Sequence, residues 1–171
     1  MTMVFWGFFF ALLNFNLTFG SISIPLLPDA AGFIVLFLFS RRRGYLNPYI
    51  AKTQTMWCVL SILSVIELAM GLTGIGFTGA VAAAWQLTCF IIFMVAGTNL
   101  FKGISIVASA QGLPQKGKQV SNAWMGVIVL GILTMLLSWI PVAGWVLLLA
   151  DIVMNIVFLL LLYGLTSKMS L

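Results

Sequence analysis

Acidic side chains are rare in this 171-residue chain, and each lies where it can do chemistry. The three are Asp29, Glu67 and Asp151, all in or beside long apolar segments. Asn155 follows Asp151 by about one helical turn, so the two can share a hydrogen bond. An ionised side chain at a bilayer centre costs about 2.5 to 3.5 kcal/mol. If these segments cross a membrane, each acid either binds a ligand or relays a proton, or else hydrogen-bonds a neighbouring helix, and the sequence leaves these interpretations open.

A polar stretch near the N-terminus supplies more candidates. Pro28 suits the first position of a helix, which puts Asp29 in the first turn, at the positive end of the helix dipole. Asp29 and Glu67 are both expected to face the outer leaflet, and two carboxylates favour a cationic ligand over an anionic one if they converge. The predicted ligand-binding residues are Asp29, Glu67, Asp151, Asn155, Asn14 and Asn16.

The rest of the sequence excludes most familiar active sites. The chain contains no histidine, which removes the usual general base, the commonest metal ligand and the partner of a serine or cysteine nucleophile. Cys58 and Cys89 lie in different apolar segments without CxxC spacing, so both are predicted to be small core residues. We therefore expect no enzymatic activity, no metal and no cofactor.

The composition is that of a membrane protein. Apolar residues make up 63% of the chain and charged residues 6%, against roughly 25% charged residues in a soluble domain. A water-soluble fold would have too little polar surface to cover itself. The net charge of +5 comes from short basic clusters between apolar segments, which orientation in a bilayer explains better than binding to nucleic acid does.

Six apolar segments are long enough to form helices within a bilayer. They run over residues 3–17, 27–40, 49–72, 78–108, 120–140 and 142–163. A helix needs about 20 residues to cross the hydrocarbon core, and the last four segments have that length. The sequence predicts an all-α, polytopic transmembrane helix bundle of about six helices, forming a single integral membrane domain over residues 1–171.

The first two segments form a short hairpin with two open arrangements. A helix over 28–40 is only about 20 Å long at 1.5 Å of rise per residue. Either the polar stretch is an outer loop between two short spans, or the chain turns back at depth as a re-entrant hairpin. The second arrangement is tolerated only where protein or water lines the turn.

The residues that open the second segment also carry a resemblance. Leu27, Pro28 and Asp29, followed by Gly32 and Phe33, resemble the LPD-x-x-G-aromatic signature of small multispan membrane proteins of Gram-positive bacteria. The resemblance covers about the first 40 residues. It implies an integral membrane protein and supplies no substrate.

Basic residues fix the expected orientation. The eight are Arg41, Arg42, Arg43, Lys52, Lys102, Lys116, Lys118 and Lys168. With the N-terminus inside, all eight come out on the cytoplasmic side, as the positive-inside rule requires, and the connections near residues 72–77 and Pro141 carry no charge. We predict a multi-pass protein of the cell membrane with both termini cytoplasmic.

Two functions remain open from the sequence. The first is binding or transport of a small solute in a partly polar cavity around Asp29, Glu67 and Asp151. The alternative is a non-transporting accessory or assembly subunit, whose polar residues fix helix packing against a membrane-protein partner or a second copy of the chain.

The orientation is tested by labelling a single engineered cysteine in intact cells, with Cys58 and Cys89 replaced by alanine. A membrane-impermeant maleimide should fail to modify Gln115→Cys, beside Lys116, and should modify Thr73→Cys in the uncharged third connection. Ready modification of Gln115→Cys in unbroken cells would overturn the orientation.

Overall fold

The fold is described from a computed structural model that covers residues 2–12, 16–19, 22–25, 29–73, 77–137 and 140–169. Within those residues the chain forms six α-helices and one two-stranded antiparallel hairpin. In order, the elements are α1 Thr2–Leu12, β1 Asn16–Phe19, β2 Ile22–Pro25, α2 Asp29–Arg43, α3 Pro48–Thr73, α4 Gly79–Ala110, α5 Pro114–Leu137 and α6 Pro141–Thr166. A 3₁₀ turn, Gly44–Leu46, joins α2 to α3.

In the described part of the chain, four helices are long and apolar enough to cross a membrane. They are α3, α4, α5 and the Gly144–Thr166 part of α6, with 26, 32, 24 and 23 residues. Large apolar side chains on these helices are exposed, including Trp145 at 70% and Leu160 at 66%, a surface that suits lipid and not water. The prediction of a polytopic helix bundle is therefore confirmed, and by length and composition the chain is an integral, multi-pass membrane protein.

The boundaries of two predicted segments were wrong. The first helix ends at Leu12, and Asn16–Phe19 pairs with Ile22–Pro25, with Thr18 opposite Ser23. Apolar and polar residues alternate through these eight positions, which suits a pleated strand better than a helix. The fifth helix begins at Pro114 rather than near Val120, because proline is favoured in the first turn of a helix.

The centre of the bundle is a cluster of aromatic rings around Phe8 of α1. The Phe8 side chain is fully buried, and its ring centroid lies 5.0 to 6.1 Å from rings of the four long helices. Those rings belong to Trp57, Phe93, Phe101, Trp124 and Phe158. Edge-to-face and tilted pairs of this kind add about 0.5 to 1.5 kcal/mol each beyond burial, so the short α1 joins α3, α4, α5 and α6.

Trp124 reaches this cluster because α4 has no side chain in its way. A Cβ added at Gly97 would collide with the Trp124 ring. The indole N–H of Trp124 also donates a hydrogen bond of 3.2 Å to the Thr98 hydroxyl. The small residue and the acceptor beside it therefore set both the depth and the rotation of this ring.

The α1 and α2 backbones touch at two glycines. A Cβ added at Gly32 would lie 2.6 Å from the Gly7 carbonyl oxygen and 2.8 Å from the Ala11 amide nitrogen, and one added at Gly7 would lie 2.6 Å from Leu36. Close approach through small residues is a common way to pack helices without water-driven association. This contact holds α2 against the helix that carries Phe8.

All eight basic residues lie toward one end of the bundle. Arg41, Arg42 and Arg43 end α2, whereas Lys52 lies near the start of α3. Lys102 of α4 lies over the Tyr49 ring at the start of α3, 4.4 Å from its centroid. The other three are Lys116 and Lys118 in the first turns of α5 and Lys168 just after α6. We call this the basic end.

Replacing Gly32 with alanine tests the α1–α2 contact. The added methyl group meets backbone atoms that cannot rotate away, so we expect the stability to fall by about 1 to 3 kcal/mol, measured by thermal unfolding in detergent. Gly164→Ala is the matched control, because a Cβ there meets nothing within 4 Å. Equal melting temperatures for the two variants would contradict the contact.

Candidate functional site

A cavity of about 190 Å³ lies between α2, α3 and α4, at the end of α1. It is lined by two carboxylates, a hydroxyl, a thiol, three phenylalanine rings and two aliphatic side chains. The lining residues are Asp29, Glu67, Ser64, Cys89, Phe33, Phe90, Phe93, Ala11 and Leu60. We call this space the acidic cavity.

The helix geometry explains why these side chains share one space. Leu60, Ser64 and Glu67 are spaced at i, i+4 and i+7, so they form one face of α3. Asp29 is the first residue of α2. It lies about one turn before Gly32, the residue at which α2 touches the α1 backbone. The position of Asp29 therefore follows from the packing of α1 against α2, and that of Glu67 from the periodicity of α3.

Neighbouring side chains hold the three aromatic walls of the acidic cavity, and two of these rings, Phe33 and Phe93, pack in or against the core. Phe33 stacks on Trp57 with centroids 6.1 Å apart and planes 18° apart, and Phe93 lies edge-on to both rings. Phe90 packs against α5, where a Cβ at Gly131 would come within 3.3 Å of its ring. Because their neighbours hold these rings, the cavity presents fixed aromatic surfaces.

Among the described residues, the lining carries two acidic side chains and no basic one. On α2 the nearest basic residue, Arg41, lies about 18 Å along the axis from Asp29, at roughly 1.5 Å of rise per residue. On α3, Lys52 lies about 22 Å from Glu67 on the same scale. The acidic cavity thus lies far from the basic end, and its electrostatic potential favours cations.

Asp151 and Asn155 lie elsewhere. The Asn155 amide donates a hydrogen bond of 3.2 Å to the Asp151 carboxylate one turn earlier on α6, as their spacing predicted. Asn155 is 8% exposed, on a helix that packs against α5 and α1. Neither residue lines the acidic cavity, so of the three acids the structure brings together Asp29 and Glu67.

The structure does not describe the side chains of the two asparagines predicted as ligands. Asn14 lies outside the described residues, and Asn16 is described only as the first residue of β1. Ser64 and the three phenylalanine walls also line the cavity, although the sequence did not predict them as site residues. The i, i+4, i+7 spacing of Leu60, Ser64 and Glu67 was the available signal for Ser64.

Cys89 was predicted to be a small core residue, but it is half-buried and lines the acidic cavity. Its position on α4 brings a thiol close to the two carboxylates. In the part of the chain that the structure describes, no group of three or more His, Cys, Asp or Glu residues is arranged to hold a metal ion.

Comparison of the chain with protein-family models, with curated proteins and with solved structures finds no match.

Cys89 provides a direct test of the electrostatics of the cavity. In a Cys58→Ala background, a methanethiosulfonate with an ammonium group should modify Cys89 faster than a neutral reagent of the same size. Removing one carboxylate with Glu67→Gln should lower that rate ratio about fivefold, the effect of about 1 kcal/mol between unit charges about 4 Å apart in water.

Cys58 in a Cys89→Ala background is the control, since Cys58 does not line the cavity. An equal rate ratio at Cys89 before and after Glu67→Gln would show that the carboxylate does not act on the cavity.

Proposed function

We propose that this protein binds a small organic cation in the acidic cavity and acts in solute binding or transport across the cell membrane. One observation carries the proposal: Asp29 and Glu67, on different helices, line a single space walled by Phe33, Phe90 and Phe93 and free of basic side chains. That combination of carboxylates and rings is the chemistry that recognises ammonium groups.

A bound cation would stabilise the arrangement of charge in the bundle. A carboxylate within the membrane is costly when it is ionised, and two in one cavity also repel each other. An ammonium ion between Asp29 and Glu67 offsets both effects. Its contact with an aromatic face adds about 0.5 to 1 kcal/mol at an exposed site and about 2 kcal/mol or more when the cation is desolvated.

The charge distribution supports an orientation for the cavity. The basic end is expected to face the cytoplasm under the positive-inside rule, which places both termini there as well. Phe5 near the start of α1 lies 5.4 Å, ring centroid to ring centroid, from Tyr163 near the end of α6, so the start of α1 and the end of α6 lie at the same end of the bundle. The acidic cavity then lies in the outer half of the bundle.

The binding proposal is tested with tetramethylammonium and purified protein in lipid nanodiscs, by calorimetry and by ligand-induced thermal stabilisation. Asp29→Asn and Glu67→Gln should each weaken binding about tenfold or more, because each removes one unit charge that contacts the ligand in a partly desolvated site. Asp151→Asn should change the affinity less than about twofold, since Asp151 lies on α6 outside the cavity.

Two results would overturn the proposal. One is the absence of tetramethylammonium binding by the folded wild-type protein. The other is a loss of thermal stability in Asp29→Asn and Glu67→Gln with unchanged affinity, which would instead favour an accessory subunit whose acids fix helix packing.

A further inference from the structure

A second, apolar depression lies between α3 and α4, next to the acidic cavity. Its volume is about 260 Å³, and its lining is aliphatic and aromatic apart from one hydroxyl and one thiol. The lining residues are Leu63, Val81, Ala84, Trp85, Thr88 and Cys89. We call it the α3–α4 groove.

The two spaces adjoin because α4 presents two neighbouring faces to them. Val81, Ala84 and Thr88 are spaced at i, i+3 and i+7, which makes one face of a helix. Cys89 and Phe93, at i and i+4, form the adjacent face toward the acidic cavity. Cys89 lines both spaces, and on α3 Leu63 of the groove directly precedes Ser64 of the cavity.

The polar groups of the α3–α4 groove leave it apolar in character. The Thr88 hydroxyl donates a hydrogen bond of 2.8 Å to the Ala84 carbonyl on its own helix. Trp85 packs against Phe77, with ring centroids 5.0 Å apart, and offers its ring to the groove. The groove therefore suits a hydrocarbon chain, whereas the adjoining cavity suits a positive charge.

We propose that the ligand is an amphiphilic cation, with its ammonium head between Asp29 and Glu67 and its hydrocarbon chain in the α3–α4 groove. This inference rests on the proposed function and specifies its ligand class. The groove shares Cys89 as a lining residue with the acidic cavity, whose two carboxylates favour cations, so a cation bound in the cavity can place an attached hydrocarbon chain in the groove. An anionic amphiphile would place its head group beside two carboxylates of the same charge, which repel it.

The test compares tetramethylammonium with hexyl- and octyltrimethylammonium in nanodiscs. Each ligand is measured against wild-type protein and Ala84→Phe, which fills the groove. The longer ligands partition into lipid equally for both proteins, so this effect cancels in the ratio of the variant affinity to the wild-type affinity. Ala84→Phe should leave tetramethylammonium affinity within about twofold and weaken octyltrimethylammonium at least tenfold, the equivalent of losing the burial of about two methylene groups.

Ala83→Phe is the matched control, because it adds the same ring one position away, outside the groove lining. It should leave the affinity for all three ligands unchanged. If Ala84→Phe fails to fold, Val81→Trp at the outer part of the same groove should give the same dependence on chain length.

The outcomes separate this inference from the proposed function. If tetramethylammonium binds and depends on Asp29 and Glu67, but the groove-filling variants weaken all three ligands equally or not at all, the amphiphile proposal fails and the cation site stands. If tetramethylammonium does not bind the wild-type protein, both proposals fail. A loss that grows with chain length only in the groove-filling variants supports the amphiphile.

Discussion

Backbone contact between α1 and α2 at Gly7 and Gly32 is the interaction on which the rest of the structure depends. It holds two helices together that are each too short to be counted among the candidate membrane spans. Through α1, the contact ties α2 to Phe8 and the rings of the four long helices. At the basic end, α2 is also fixed to α3, because the Thr53 hydroxyl donates to the Ile50 carbonyl and is paired at 2.8 Å with the buried Ser40 hydroxyl.

This packing accounts for the position of the acidic cavity. Helix α2 begins at Asp29 and is shorter than α3 and α4. The Asp29 carboxylate therefore lies beside residues 60–67 of α3 and 89–93 of α4, which line the cavity with it. The positive N-terminal end of α2 favours the carboxylate of Asp29. One turn later, the aromatic core holds Phe33 and so fixes the start of the same helix. The packing that holds α2 therefore also places a carboxylate in the lining of the acidic cavity, and the α3–α4 groove adjoins that cavity at Cys89.

Sequence patterns predicted the architecture better than the site. Hydrophobic segments of sufficient length identified the four spanning helices, because crossing a bilayer is a requirement on length and composition alone. The sequence alone did not show whether Asp29 and Glu67 converge, because that depends on the α1–α2 contact and on the rotation of α3. Asp151 and Asn155 had a spacing that predicted their hydrogen bond, but spacing within α6 carries no information about which helices face it. Cys89 and Phe90 were unremarkable apolar-segment residues until α3 and α4 were placed side by side.

The most direct measurement is a cross-link between positions 29 and 67. In a chain with Cys58 and Cys89 replaced by alanine, Asp29→Cys and Glu67→Cys should be joined by a bifunctional thiol reagent of about 7 Å, the diameter of a sphere with the cavity's volume of about 190 Å³. The control pair combines Asp29→Cys with Val65→Cys, about 200° around α3 from position 67. Efficient linking of the first pair and little of the second, by intact mass and peptide mapping, is the expected result. Equal linking of both pairs, or none at 29 and 67, would contradict the shared cavity.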